Sequence, residues 1–374
     1  MQTHHTPCRF TAACLTFTLV TLLLAACTTQ TPPSTLPSRP AMTAPQPAAV
    51  SRSTALTQLE NEANALLPLA TSDMAKQFLR ATATLPAVAT RTAYRDDNTR
   101  EFFSAAEAAL LKDERRKKLT TIELDEYRYY HTKYGTPLAY VRALDLAAAH
   151  GMNAVKGRRV LDFGYGAIGH LRLMASIGAH VLGVDPDTYL SALYSQPSDQ
   201  GAVLPAAGVY RGAPGTVTLV HGKWPRDNPI VQAVARGGPY QLILSKNTLK
   251  RGYLKPERRA NRNQLIDLGV TDEIFLKAIH QSLAPGGLLV IYNLAPKQAA
   301  ADKPFLPQAD ARSPFSREQF TKAGLTVLAF DTEDHDFIRR MGSAVNWDKN
   351  DKGEVVNDLA TNLFALYTVV ARPQ

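Results

Sequence analysis

Residues 160–187, VLDFGYGAIGHLRLMASIGAHVLGVDPD, decide how the rest of the chain is read. Residues 160–163 are a short, mostly apolar run that stops at Gly164. Gly164, Gly166 and Gly169 then follow as G-x-G-x-x-G. Ile168, Leu171, Met174 and Ile177 recur every three residues, which gives a helix one apolar stripe. Gly178 closes that helix, and 181–184 form a second apolar run. Asp185 ends it, with Pro186 and Asp187 behind. The reading is strand, glycine turn, helix, strand, carboxylate.

A G-x-G-x-x-G between a strand and a helix, with an acid 19 positions after Gly166, is the pattern of a nucleotide-binding βαβ unit. Backbone that bends sharply against a ligand has no room for a Cβ. The helix behind it offers free N–H groups to that ligand. Asp162 narrows the choice, because D-x-G-x-G puts a carboxylate where it would repel a pyrophosphate and attract a cation. The stretch resembles motif I of the class I S-adenosylmethionine (SAM)-dependent methyltransferases, whose donor carries a sulfonium and an amino group and no phosphate. The resemblance implies that Asp162, Gly164, Tyr165 and Gly166 line the methionyl end, with Gly169 completing the turn. It also implies that Asp185, beside Pro186, holds the ribose hydroxyls. An NAD-type Rossmann domain, or one without a ligand, is the alternative reading of the same glycines.

The resemblance covers roughly residues 150–374. A β-branched run at 216–220 is a third strand and leads into His221-Gly222-Lys223-Trp224-Pro225. The family places an acid after this strand for the adenine amine. This sequence has none there, so backbone groups at Gly222 and Lys223, or stacking on Trp224, have to substitute. His221 reads as a surface residue at a strand end. Residues 240–244 (YQLIL) are a buried fourth strand, followed by Ser245-Lys246-Asn247 and, further on, Tyr253. In open α/β sheets ligands bind beyond the carboxyl ends of the strands, near the reversal of strand order. Lys246, Asn247 and Tyr253 are therefore the candidates for touching the methyl acceptor, with Ser245 assigned to the donor. There is no N-P-P-Y, so DNA adenine methylation is not indicated. Leu283-Ala284-Pro285-Gly286-Gly287 resembles the family's turn before strand five. Runs at 325–330 and 363–370 read as strands six and seven. The expected fold is α/β: a Rossmann-like seven-stranded mixed sheet, last strand antiparallel, with helices on both faces, preceded by an N-terminal helical segment.

The chain has 374 residues, a formal net charge of +9 and a pI near 9.4, enough for one large domain and an accessory region. The basic balance fits an anionic partner or simply a soluble basic surface. No motif points to nucleic acid. Arg251, Lys255, Arg258, Arg259 and Arg262 make one loop strongly basic, either a solvated loop or a contact for an acidic acceptor or headgroup. Cys8, Cys14 and Cys27 all fall near the start, leaving the rest of the chain no disulfide and no cysteine metal site. No other metal-ligand spacing occurs either, so no metal is implied.

Residues 10–26 are apolar or small behind Arg9, the layout of a secretory signal peptide. Leu24-Ala25-Ala26-Cys27 resembles a bacterial lipobox, which implies acylation of Cys27 and a cell-envelope location. Thr28, in place of an acid, implies the periplasmic side of the outer membrane in a Gram-negative cell. The competing readings are an uncleaved anchor, or a start at Met42 or Met74 and a cytoplasmic protein. Residues 27–53 are rich in Pro, Ser and Thr and read as a tether. The expected order is thus signal peptide 1–26, tether 27–53, helical region 54–150 and methyltransferase-like domain 151–374.

Within 54–150, Leu56, Leu59, Ala63, Leu66 and Leu67 fit one helical stripe; 72–84 and 101–111 read as two more helices. The charges of 112–118 read as a solvated helix face. Tyr127, Tyr129, Tyr130 and Tyr134 fall within eight residues and suit either a core edge or a substrate pocket. Thr136 and Pro137 read as N-cap and N1 of a further helix. By the resemblance, this region covers the donor. The expected function is SAM-dependent methyl transfer to a small-molecule, lipid or envelope acceptor by a membrane-anchored protein. The alternative is a non-catalytic envelope lipoprotein that uses the same fold as a binding module.

Overall fold

Short runs of buried or β-branched residues, cut by glycine and proline turns, give two sheets among the described residues. A computed structural model describes residues 52–132, 135–350 and 352–374, which belong to one compact unit. The expected signal peptide, Cys27 and nearly all of the tether lie outside the described residues.

The small sheet consists of β1 (Arg91–Arg95), β2 (Phe102–Ser104) and β3 (Thr120–Leu124), in the order β2-β1-β3, all antiparallel. It corrects the expectation of an all-helical 54–150. The expected helix at 101–111 is instead β2 followed by the short helix Ala105–Ala109. Ser104 and Glu107 form a capping box at that helix start, each side chain accepting from the other's backbone N–H. The charge run at 112–118 yields only the helix Asp113–Arg116, with no buried residue.

The large sheet contains β4 (Arg159–Phe163), β5 (His180–Asp185), β6 (Gly201–Val203), β7 (Gly215–His221), β8 (Tyr240–Lys246), β9 (Leu283–Ala295), β10 (Thr326–Glu333) and β11 (Phe364–Ala371). Their spatial order is β10-β11-β9-β8-β4-β5-β7-β6. The inner strands β7, β5, β4, β8 and β9 run parallel, while β11 is antiparallel to both β9 and β10. This is the expected mixed sheet with its antiparallel last strand. It carries one unexpected addition, the three-residue β6, antiparallel on the β7 edge.

Strands buried on both faces are apolar nearly throughout. Val160, Leu242, Leu244, Val290 and Tyr292 pack on the face covered by helices Thr54–Leu66, Asp73–Arg80, Val141–Ala149, Gly169–Ser176 and His335–Ala344. Leu161, Phe163, Ile243, Leu289 and Ile291 pack on the other face with helices Asn228–Gly237, Asp272–Ser282 and Arg317–Lys322. The chain winds from β4 out through β5 and β7, then returns to β8 on the other side of β4. The direction reverses between β4 and β8, and open α/β sheets bind their ligands in the crevice beyond the carboxyl ends of the strands at such a point.

Candidate active site

β4 hands the chain to a turn that only glycine tolerates. Gly164 has φ +78° and Gly166 φ +61°. A Cβ on Gly164 would also collide with the Thr248 side chain, whose hydroxyl donates to Gly164 O at 3.3 Å. Gly169 serves packing instead: a Cβ there would strike Tyr130 O and Pro137. The turn is thus covered by the segment that precedes the domain, with Thr132 also lying over Gly166.

Asp185 ends β5 beside the turn. Its Oδ2 accepts from Gly166 N–H at 3.3 Å and its Oδ1 from Asp187 N–H at 3.0 Å. Burial pushes its pKa up to about 6, against those bonds. Asp185 stays half-buried and Pro186 is exposed, so the carboxylate borders open space.

Asp162 does not. It and His170 are both 0% exposed. Asp162 Oδ2 takes a hydrogen bond from His170 Nε2 at 2.5 Å. The Tyr140 ring stacks on that imidazole at 3.6 Å, and its hydroxyl faces the carboxylate. Burial lowers the His170 pKa, with Asp162 opposing, so the imidazole is neutral. Asp162 Oδ1 and His170 Nδ1 are buried without a hydrogen bond. The expectation that the Asp162 side chain lines the methionyl site is corrected: its own following helix occupies it. Tyr165 is corrected too. Its ring is fully buried over Gly183, where a Cβ would come within 2.8 Å, and 6.2 Å from Tyr194. The turn can present only its backbone to a ligand.

On the far side of the crevice, Lys246 is the last residue of β8 and half-buried. Its ammonium lies 5.7 Å from the Tyr140 ring centroid. Desolvation draws its pKa down to about 8, while Asp162 pulls the other way. Asn247 has φ +63°, and its side-chain oxygen accepts from Leu294 N–H at 2.7 Å. That carbonyl is committed to holding β9. Ser245 is buried, and its hydroxyl accepts from Leu249 N–H, so the assignment to the donor is corrected. Tyr253 is half-buried on the short helix Arg251–Leu254, its ring 5.3 Å from Lys250 Nζ. Lys250 was missed by the sequence reading. It is buried, donates to Leu294 O and Gln308 O, and desolvation draws its pKa to about 7.

Beyond β7, Gly222 donates to Asp185 O at 3.1 Å and has φ +154°. Lys223 donates its N–H to Asp227, and its ammonium lies 3.6 Å from Asp267. Trp224 is buried edge-on against Phe163 and Phe275, which removes it as a stacking platform for adenine. His221 is half-buried, 6.4 Å from the Tyr165 ring, with Nδ1 buried and unbonded; it faces inward rather than to bulk water.

The tyrosine cluster is mostly core. Tyr129 and Tyr130 are buried and donate to Asp199 and Pro86 O, Tyr127 stacks on His131 at 3.9 Å, and Tyr134 lies outside the described residues. Part of the basic loop is also spent internally, Lys255 on Asp272 and Arg258 on Ala301 O. Among the described residues no group of three His, Cys, Asp or Glu side chains could hold a metal, and no helix is long and apolar enough to cross a membrane.

The charged groups at the crevice are the Asp162 and Asp185 carboxylates and the Lys246 ammonium, beside a neutral imidazole and a left-handed glycine turn. Gly164, Gly166, Asp185, Lys246, Asn247 and Thr248 are the half-buried residues that border it.

No protein-family model and no curated protein matches the chain. Solved structures of similar shape include the cyclopropane synthase MmaA2 from Mycobacterium tuberculosis. There the identity is 13%, 66% of this chain and 91% of that chain are covered, and the TM-score is 0.39. An S-adenosylmethionine-dependent methyltransferase from Mesorhizobium loti gives 16% identity, coverage of 63% and 98%, and a TM-score of 0.32. Phosphoethanolamine N-methyltransferase 2 of Haemonchus contortus, in complex with S-adenosyl-L-methionine, gives 15%, 62% and 52%, and 0.35. The chain thus spans about half of that last protein. Likenesses this slight carry no argument; the chain's own sheet order and side chains have to.

Proposed function

We propose that this protein is a SAM-dependent methyltransferase. The observation that supports the reading best is the meeting of a left-handed glycine turn with the Asp185 carboxylate at the strand-order reversal of a mixed sheet. Ribose hydroxyls need an acceptor at the end of the second strand, and Gly166 N–H aims the Asp185 carboxylate there. Backbone of Gly164 and Gly166 would hold the methionyl end. Asp162 would act on it through its field, not by contact. The donor supplies a methyl group on a sulfonium, whose charge disappears as the methyl leaves. The residues then have to align the acceptor and, where it carries a proton, remove that proton. Lys246, Asn247 and Tyr253 border the acceptor side, with Lys246 the group fitted to move a proton. Titration calorimetry of the full-length chain in detergent with SAM and S-adenosylhomocysteine tests this. Micromolar binding is expected; no heat with either, alongside binding of NADH, would refute it.

A second reading is a non-catalytic binding module. It is favoured by the capture of Asp162 by His170 and the burial of Trp224, which leave the donor fewer direct contacts than the sequence promised. Binding without turnover on any acceptor fraction from the cell envelope would support it.

For location, we propose that Cys27 carries a lipid and that the acceptor lies in the envelope. A start at Met74 would delete helix Thr54–Leu66, whose Leu56, Leu59 and Leu66 are buried in the core, which argues against that alternative. Metabolic labelling with a radioactive fatty acid should mark the wild-type chain and not Cys27→Ser; equal labelling of the two would refute the anchor.

A further inference from the structure

Asp162, fully buried, and Lys246, half-buried at the end of β8, carry opposite charges on one face of the sheet where the strand order reverses. Asp162 pairs in register with Leu244, and Lys246 lies two residues on along the same strand, so both point to one face of the sheet. Among the described residues, the other titratable groups around Lys246 leave its ammonium without a different negative partner. From helix Gly169–Ser176 comes His170, which is neutral and already bonded to Asp162. From the turn Pro137–Tyr140 comes Tyr140, which offers its ring. Lys250, behind β8, adds only repulsion. Across the sheet, Tyr292 pairs with Lys246 in register but gives its hydroxyl to Asp334, and Asp334 is taken by Arg142 at 2.7 Å. One carboxylate, with one oxygen still unbonded, thus balances one ammonium.

Resting on the methyl-transfer reading, we propose that the cationic methyl donor and the Lys246 ammonium compete for the field of Asp162. Donor binding then drives a proton off Lys246 and leaves a free amine beside the acceptor. Lys246 loses its proton to solvent when the second positive charge arrives. It later takes the acceptor's proton, as the acceptor's lone pair forms the bond to the methyl carbon and the sulfur keeps the electron pair of the broken S–C bond. The sulfonium charge vanishes in the same step that Lys246 becomes an ammonium again. The crevice therefore holds one mobile positive charge before and after transfer. This cycle makes Lys246 the general base and activates it only when the donor is in place. The acceptor class that needs it carries a proton on a nucleophile that still has its lone pair: a hydroxyl, a thiol or a neutral primary or secondary amine rather than a tertiary amine.

The test is proton-linked calorimetry on the full-length chain, repeated at pH 7.5 in buffers of different ionisation enthalpy. With Lys246 titrating near 8 in the free protein, SAM should release about three-quarters of a proton from it. SAM should also bind about eightfold more tightly at pH 8.5 than at pH 7. S-adenosylhomocysteine carries the same amino group without the sulfonium, and should release distinctly less. Lys246→Met should abolish the difference between the two ligands and flatten the pH dependence. If Lys246→Met does not fold, the SAM-against-homocysteine contrast in the wild type still decides. Equal proton release with the two ligands, or an unchanged difference in Lys246→Met, would overturn the inference while leaving donor binding intact. Absence of binding by both ligands would instead overturn the methyl-transfer reading.

Discussion

Replacing His170 with leucine isolates the pair at the head of the sheet. Leucine roughly keeps the volume, so the main loss is electrostatic: Asp162 becomes a fully buried carboxylate that has lost the His170 donor and keeps only the Tyr140 hydroxyl facing it. Breaking a buried pair this way costs about 3–5 kcal/mol. In a chain of this size that corresponds to a fall in Tm of roughly 4–8 °C. Asp162→Asn alone should cost less, about 1–3 kcal/mol, because the amide oxygen can still accept from His170 Nε2. In the leucine background the same change should be favourable, giving a coupling of about 2 kcal/mol in the double-mutant cycle. The dependence on pH follows from the sign at His170. It has a folded pKa below its unfolded value, so the wild type is fully stabilised above about 6.5 and loses that stability as the pH falls. His170→Leu removes that titration, so the gap between the proteins narrows from pH 7.5 to pH 5. Urea denaturation followed by circular dichroism measures all of it. A cost under about 1 kcal/mol, or no rescue by Asp162→Asn, would refute the placement of these two residues against each other.

Three further outcomes follow from the same geometry. Gly164→Ala meets both a left-handed φ and the Thr248 side chain, so it should weaken SAM binding more than tenfold and lower Tm; Thr248→Ala in the same protein should recover only the part due to the clash. Asp185→Asn should weaken SAM binding about tenfold or more, and wild-type affinity should fall as the pH drops through about 6, where Asp185 takes up its proton; calorimetry from pH 5 to pH 8 checks both. Arg142→Met should cost about 3 kcal/mol in urea denaturation, because among the described residues it leaves Asp334, with 7% of its side chain exposed, only Tyr292 as a side-chain partner.

What the sequence disclosed was what is local. A strand, a φ-positive turn and a helix are adjacent in the chain, and their periodicities and glycines sit within one 28-residue stretch. The long parallel strands announced themselves because both their faces are buried. The small sheet did not: β1 reads RTAYR and β3 TTIEL, with one face turned to solvent and too few apolar residues to show alternation. β6 is three residues long on an edge and had no signal at all. The helix after the turn shows why site residues were harder. Its stripe of Ile168, Leu171 and Met174 suggested one buried side, yet His170, Leu173, Ala175 and Ser176 are buried as well, because the preceding segment covers the outer face. His170 was therefore in plain view and unread. Its partner and its stacking ring, Asp162 and Tyr140, come from elements 8 and 30 positions away in the chain. Trp224 failed in the opposite sense, since an aromatic at a strand end looked available until Phe163 and Phe275 were seen to enclose it.

The altered place of Asp162 changes what a carboxylate in this position can do. A side chain in direct contact with a ligand works through a hydrogen bond, whose net value is about 1.5–3 kcal/mol with one charged partner. A carboxylate sealed from water works at a distance: two unit charges 5 Å apart interact by about 3 kcal/mol at an effective dielectric of 20. Sealing therefore costs little of the attraction, and it removes the water that would otherwise screen it. The bond from a neutral His170 stabilises the charge without cancelling it, whereas a protonated partner would have neutralised the pair. The lowered pKa of His170 keeps it neutral. Asp162 is then a fixed negative field at the reversal point of the sheet, available to whichever cation occupies the crevice. Lys246 supplies that cation in the free protein, and its displacement by a cationic donor is the electrostatic event on which the proton linkage depends.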